Sequence, residues 1–509
     1  MRGTLAARGN RVTILSSSAQ RPSYRSAPYV ILAIGLSLVV YAPILKNYFY
    51  QDDFRVLQLL TNLPLGKFLM TRFNNHLQIV HNAFFAGMYA VAGIYPMPYY
   101  LVLLLLHGIN VGLVFAIVHT VTRSAPLACI AAAAWGTCPL NEGALGWLAA
   151  SGNVMVATTT LAVLLDTVRA ERRQAGVGFA RSALWAGLFL AGAQSFGTGL
   201  GVAIAAPVVL TWPAWDRLTW GARAVLLAVP AVTGWMYGPS HVPTYIQPSS
   251  GLGMAEMVFH LHAIGLTTLI RGFGHQPGVL DLVPWTLPSL TVSFLAAPVI
   301  CLWAIAAVWL STGGTRRLLI TLAVLAFSNY ASIALGREPL AELNHQSLLR
   351  WAGQTRYQYS ATALLAIGLA VVVATVSAKR LAVWAHAGAI AWFALFVIFY
   401  ARSNWTIRHY DDERGRLEHV LKRIDAVIRD TPAGEPVIMY NEPQGPYITG
   451  TAAIYVMNRY RFDREVYFVD RWAANIYRTL PGSPLAQAVL PPPTTGLACV
   501  RFTLQSEVQ

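Results

Sequence analysis

The feature that most constrains this chain is a series of apolar runs separated by short segments that carry arginine. The runs lie at about 28–45, 99–121, 125–140, 152–168, 182–195, 197–212, 221–238, 289–310, 317–335, 360–377 and 381–400. A helix crosses the hydrocarbon core of a bilayer with about 20 apolar residues. Backbone N–H and C=O groups find no water there, so such runs must bond internally as helices. Composition agrees, with 55% of the 509 residues hydrophobic and 12% charged, against a usual charged share of about a quarter. So few charges would not cover the surface of a soluble protein. The expected fold class is an α-helical polytopic membrane protein with about 11 transmembrane helices. An intrinsically disordered chain, a secreted disulfide scaffold and a cytosolic enzyme are excluded.

The net charge of +15 follows the same logic. Residues 401–509 hold 13 basic and 12 acidic side chains, so the excess lies in the first 400 residues. With the N-terminus inside, the short inner segments carry 16 basic residues, from Arg2, Arg8, Arg11, Arg21 and Arg25 through Arg123, Arg169, Arg172, Arg173, Arg181, Arg217, Arg223, Arg316 and Arg317 to Lys379 and Arg380. The outer loops before residue 401 carry eight. The positive-inside bias therefore predicts a cytoplasmic N-terminus and, with an odd number of spans, an outer C-terminus. Because orientation accounts for the basic excess, no nucleic acid is expected as a partner. Residues 1–27 read as a basic cytoplasmic segment. The first span contains Pro43 and lacks a small-residue cleavage site, so it reads as an uncleaved anchor. Arginine outnumbers lysine 33 to 4, which together with the alanine-rich helices suggests a GC-rich bacterial genome and so a bacterial inner membrane. Cys129 and Cys138 fall on one predicted helix, about 13 Å apart, too far for a disulfide.

The inner loops are too short for a nucleotide-binding domain, and no G-x-x-x-x-G-K-[ST] occurs. The chain invests in its outer face, with loops at about 46–98, 239–288 and 336–359 and a tail at 401–509. The membrane domain is thus expected at 28–400 and a separate α/β extracytoplasmic domain at 401–509. In that tail, Leu417, Val420, Leu421, Ile424, Val427 and Ile428 share a helical face within 411–430. Val437–Tyr440, Val466–Val469 and Cys499–Leu504 read as strands. Within the second loop, Val258–Gly274 reads as an outer-surface helix that puts His260 and His262 on different faces, which argues against a metal pair there.

The sharpest local feature is Tyr50-Gln51-Asp52-Asp53-Phe54-Arg55, directly after the first span. Carboxylates close to a bilayer are costly and invite a functional reading. An Asp here can act as a general base toward an attacking hydroxyl. The pair can also hold a divalent cation, magnesium or manganese, through oxygen ligands. A solvated loop start or a helix cap is the plain structural alternative. The same loop carries Asn74, Asn75, His76, Gln78, His81 and Asn82, and then an amphipathic stretch from Ile79 to Ile94. His76 and His81 are candidates for substrate contact. His107, inside a span, reads as a helix–helix hydrogen bond.

Several pieces occur in a recognisable order. The acidic pair is followed by Gly93, Pro96 and Tyr99 leading into the next span, by His107, by Pro139-Leu140-Asn141-Glu142 with Trp147, and by Thr355-Arg356-Tyr357-Gln358-Tyr359 before a late span. In this the chain resembles membrane glycosyltransferases of the GT-C superfamily, particularly the protein O-mannosyltransferase-like bacterial proteins and the tetratricopeptide-containing transmembrane mannosyltransferases. The resemblance covers roughly 40–170 and 350–377, and no tetratricopeptide repeats are present. It implies a polyprenyl-phosphate-linked sugar donor and inverting transfer on the outer face to a glycan, lipid or protein acceptor. Asp52 would be the base, with Asp53 second or metal-binding. Arg55, Arg337, Arg350 and Arg356 supply cations for the leaving phosphate. Arg356 is favoured because a guanidinium at a span mouth grips phosphate bidentately, with an interfacial snorkelling arginine as the plain alternative; Tyr357 and Glu142 are further candidates for substrate contact. Other readings are a lipid-linked glycan transporter, an O-antigen ligase or polymerase, and an inactive assembly subunit. A transporter would be expected to show inverted repeats and midplane charges, and neither is visible.

Overall fold

The computed structural model describes residues 26–50, 52–73, 76–214, 217–237, 250–271, 305, 307–311, 313–343, 345, 347–376, 426, 429–432, 437–441, 466–470, 475–479, 486–487 and 498–502. The basic N-terminus, the runs at 289–310 and 381–400 and the helix at 411–430 lie wholly or largely outside these residues.

The described chain is mostly helical. Helix α1 (Ala27–Tyr41) tightens into a 3-10 turn over Ala42–Lys46, where Pro43 withholds a backbone donor. The first outer segment folds into α2 (Asp52–Asn62), α3 (Leu65–Leu69), a two-residue hairpin of β1 (Arg72–Phe73) and β2 (His76–Leu77), and α4 (Ile79–Ala92). Helix α5 (Met97–Thr122) is central and packs on α1, on α6 (Ala125–Gly136) and on α8 (Gly152–Arg172); the short helix α7 (Glu142–Leu145) lies between the last two. A second cluster contains α9 (Phe179–Ala193), α10 (Thr198–Ala214) and α11 (Trp220–Met236), which pack against one another. Helix α10 also packs on α13 (Gly313–Leu343), and α13 packs on α12 (Gly251–Arg271) and α15 (Tyr359–Val376); α14 (Leu348–Ala352) lies between α13 and α15 in sequence.

Among the described residues, four helical segments are long and apolar enough to cross a membrane, Ala27–Lys46, Met97–Thr122, Leu148–Arg172 and Gly313–Glu342, with six shorter apolar helices beside them. The chain is a multi-pass membrane protein. Many apolar side chains face outward, as lipid requires. Trp220 and Trp235, near the two ends of α11, are each 80% exposed, the place where amphipathic indole rings sit in a bilayer.

Inside the bundle, polar groups pair with each other. The His107 ring bonds the Tyr359 hydroxyl through Nδ1 at 2.7 Å and the Gly136 carbonyl through Nε2 at 2.8 Å. Asn110 donates to the Val154 carbonyl and the Tyr359 hydroxyl. The Trp135 indole donates to the Tyr359 carbonyl and the Thr362 hydroxyl. This network links α5, α6, α8 and α15, and His107 serves there as the interhelical bond its position in a span predicts.

Two expectations need correction. Helix α13 continues to Leu343, so Arg337 and Glu338 stand on its last turns and not in a loop beginning at 336. The stretch read as an outer-surface helix is part of α12, which begins at Gly251 and packs on α13, α14 and α15. Met257, Leu261 and Ile264 recur at helical spacing and are buried, so the apolar stripe faces protein. The Glu338 carboxylate accepts from the Ser250 backbone N–H and hydroxyl and so ties down the start of α12. His262 packs edge-on against Tyr330 with centroids 4.6 Å apart, while His260 approaches Glu256 at 3.3 Å. The two rings meet different partners.

The described part of the tail is a five-stranded mixed sheet, ordered β6 (Ala486–Gln487), β5 (Asn475–Thr479), β4 (Val466–Asp470), β3 (Val437–Asn441), β7 (Ala498–Phe502). β3 runs parallel to both neighbours, with Val437 opposite Val466 and Ala498. β5 is antiparallel to β4 and β6. The three strands expected from sequence are present, and β5 and β6 join them.

Candidate active site

The acidic pair opens α2, where unpaired backbone N–H groups favour negative charge. The two side chains then part. Asp53 is fully buried, at 0% exposure. Its Oδ2 accepts from the Tyr50 N–H at 2.9 Å and its Oδ1 from the Ala149 N–H at 2.7 Å. Ala149 lies in the 3-10 turn Leu148–Ala150 that leads into α8. Asp53 therefore clamps the first outer segment to the start of α8.

Asp52 is half-buried and lies within electrostatic reach of two cations. Burial raises its carboxyl above the usual carboxylate range, and the Arg356 and Arg337 guanidiniums pull it partly back. A carboxylate with raised basicity beside fixed positive charge is the arrangement a general base needs.

Both arginines are held on aromatic faces. Arg356, in the 3-10 turn Thr355–Tyr357, lies over Trp147 at 4.7 Å and over Tyr357 at 5.0 Å from the ring centroids. It also donates to Gln354 Oε1 and to the Tyr357 hydroxyl. Arg337 lies over Tyr357 at 5.5 Å and over Trp351 at 5.7 Å. Trp147 in turn meets Tyr50 edge-on at 6.0 Å. Each stacked cation gains about 0.5–2 kcal/mol from the ring. Stacking also fixes the plane of the guanidinium and so directs its N–H edge.

The backbone supports this stack at a close approach. Gly143, in α7, faces Thr355 and Arg356 so tightly that a Cβ there would lie 2.4 Å from the Arg356 nitrogen. Glu142 is buried at the start of the same short helix. The segment 142–147 thus sets the position of Arg356 from below, through Gly143, and from the side, through Trp147.

The remaining candidates are placed as follows. His76 sits on the β1–β2 hairpin, with its ring against Gly197. Arg72 donates to the Met236 carbonyl at 3.1 Å, and the Tyr237 hydroxyl bonds the Leu77 and Ala193 carbonyls, so the hairpin is pinned to α9 and α11. Burial, with a contribution from the Arg337 charge, lowers His76 to about 4; it is neutral at pH 7. His81 is buried in α4, with Nε2 3.2 Å from the Leu148 carbonyl and its ring on Phe85. It holds α4 against the 148–150 turn. Arg55 is exposed and donates to Gln58 Oε1 one turn along its own helix at 2.7 Å. The structure therefore gathers Asp52, Arg337, Arg356 and Tyr357, with His76 within electrostatic reach of Arg337. It places Asp53 and His81 in the scaffold and Arg55 on the outer face of α2.

Both Asp53 oxygens are taken by backbone N–H groups. Among the described residues no group of three His, Cys, Asp or Glu side chains converges.

Sequence reasoning passed over the aromatic platforms. Tyr50 and Trp147 stand in the motifs without a role as platforms, and Trp351 carries no motif. Their signal was adjacency, since each lies within a few residues of a candidate charge.

No protein-family model matches the chain, and no curated protein does. Among solved structures, the chain is similar to ArnT from Cupriavidus metallidurans bound to undecaprenyl phosphate. The identity is 10%, the TM-score 0.47, and the match covers 87% of this chain and 93% of that one. It is also similar to the Archaeoglobus fulgidus oligosaccharyltransferase tethered to an acceptor peptide with an NVT sequon, at 12% identity and a TM-score of 0.41. That match covers 85% of this chain and 63% of that one.

Proposed function

We propose that the chain is an inverting, GT-C-like glycosyltransferase that moves a sugar from a polyprenyl-phosphate donor to an acceptor on the outer face of a bacterial inner membrane. The observation that carries this reading is a half-buried Asp52 faced by two guanidiniums held on aromatic rings. In the step we envisage, Asp52 takes the proton of an acceptor nucleophile as that atom bonds the sugar C1. The bond from C1 to the phosphate oxygen breaks, and the polyprenyl phosphate leaves with one further negative charge. Arg356 and Arg337 offset that charge where it develops. No nucleotide-binding domain is needed, because the donor arrives already activated in the membrane. The N-terminus lies in the cytoplasm and the C-terminal sheet outside, as the arginine distribution requires.

The test is genetic. The gene is deleted and restored as wild type or as Asp52→Asn, and envelope glycans and glycoproteins are compared by mass. The expected result is a hexose- or pentose-sized mass that disappears on deletion and returns only with wild type. Return of that mass with both versions would remove Asp52 as the base.

A further inference from the structure

The bundle carries a cleft at the end opposite Asp52. Arg337 and Arg317 stand twenty residues apart on α13, about 30 Å along a helix. The Arg317 end of α13 meets the last turns of α8 and α10 around a cleft that opens to the surface. Leu164, Trp185 and Leu210 form an apolar wall, and Glu171, Arg217 and Arg317 provide the charges. Both guanidiniums lie within electrostatic reach of Glu171. Arg217 is positioned by backbone bonds: Val177 N–H donates to its carbonyl at 3.2 Å, and Thr219 N–H donates back to Val177 at 3.4 Å. Its guanidinium donates to the Glu171 carbonyl at 3.4 Å.

This charge pattern is mixed. Two cations suit one phosphate, and the carboxylate suits a cationic group a few atoms away. The apolar wall suits the part of an amphiphile that follows its headgroup. Basic pockets between transmembrane helices on the cytoplasmic side take lipid headgroups, the side to which the positive-inside bias assigns Arg217 and Arg317, and the carboxylate adds a demand for an ammonium. We propose that this cleft binds the phosphoethanolamine headgroup of an aminophospholipid, with its phosphate on Arg217 and Arg317 and its ammonium on Glu171. The site lies far from the proposed transfer chemistry and does not depend on it.

The full chain, purified in detergent, is titrated by native mass spectrometry with phosphatidylethanolamine, phosphatidylcholine and phosphatidylglycerol of the same acyl chains. Phosphatidylethanolamine is expected to bind at least fivefold more tightly than the other two. Arg217→Gln with Arg317→Gln is expected to weaken it tenfold or more. Glu171→Gln, a nearly isosteric change, is expected to erase the preference over phosphatidylglycerol. Leu210→Trp, which fills the apolar wall and leaves the charges, is expected to reduce lipid binding as well. Equal binding of the three lipids, or an unchanged preference in Glu171→Gln, would overturn the proposal. Displacement of bound lipid by millimolar inorganic phosphate would overturn it too, because the cleft would then be a site for the free anion.

Discussion

Adjacent carboxylates with the same intrinsic acidity take different work here because their surroundings differ. Asp53 is fully buried and accepts two backbone N–H groups. In Asp53→Asn, one of those N–H groups must face an amide N–H. The expected loss is about 2–3 kcal/mol, the scale of a hydrogen bond to a charged group plus an unmet donor, read as a lower thermal midpoint in detergent. Asp52 has the opposite sign. Its folded pKa is raised by burial, so the native state holds its proton to higher pH than the unfolded chain. Its contribution to stability is therefore lost as pH rises through the folded value. Asp52→Asn should unfold no earlier than wild type at pH 7 while transfer is lost, and that pairing separates a base from a structural residue. His76 titrates in the other direction. Its folded value near 4 lies below the ordinary 6.5, so the unfolded chain binds more protons between the two. Stability from this group is complete above pH 6.5 and is lost as pH falls toward 4. His76→Gln should flatten that acid limb in a series of melts.

At the scale of elements, the site depends on a short segment meeting a late turn. Alanine at Gly143 would place a methyl group 2.4 Å from the Arg356 nitrogen and from the Thr355 hydroxyl. Because the 142–145 and 355–357 segments are backbone against backbone, neither can yield by a rotamer change. Gly143→Ala should therefore shift Arg356 off Trp147 and reduce transfer tenfold or more, with a KM increase exceeding the fall in kcat, as glycan analysis with titrated donor would show. Elements were legible in sequence where one stretch decides its own structure. The apolar run of α5 needs no partner to be read as a helix, and Val437, Val466 and Cys499 lie in strands as their β-branched and apolar neighbours suggest. Helix α2 was harder. Phe54, Val56 and Leu57 are buried in it, but the polar residues around them read as loop. What fixes α2 is Ala149, whose N–H reaches Asp53 across nearly a hundred residues. The extension of α13 past Leu335 was equally hidden, because Gly336 and Pro339 have low helix propensity, yet Glu338 holds α12 from inside the helix.

For the whole molecule, the sequence conveyed the membrane class and the sorting of charge between two ends, both of which depend on composition along the chain. It conveyed Asp52, Arg337 and Arg356 as candidates without showing that they converge. That convergence depends on Tyr357 standing between the two arginines and on Trp147 arriving from a distant segment. A further consequence follows from α9, α10 and α11, which have 15, 17 and 17 residues and pack as one cluster. At 1.5 Å per residue they measure about 22–26 Å, short of the roughly 30 Å hydrocarbon core of an ordinary bilayer. Trp220 and Trp235 mark a similar distance, about 22 Å, along α11. As spans, these helices would require the lipid beside them to compress, at a fraction of a kcal/mol per ångström of mismatch. Reconstitution in vesicles of graded acyl length should therefore give a thermal midpoint that peaks in short-chain lipids and declines as the chains lengthen. On that view the protein carries a built-in gauge of membrane thickness, set by three short helices.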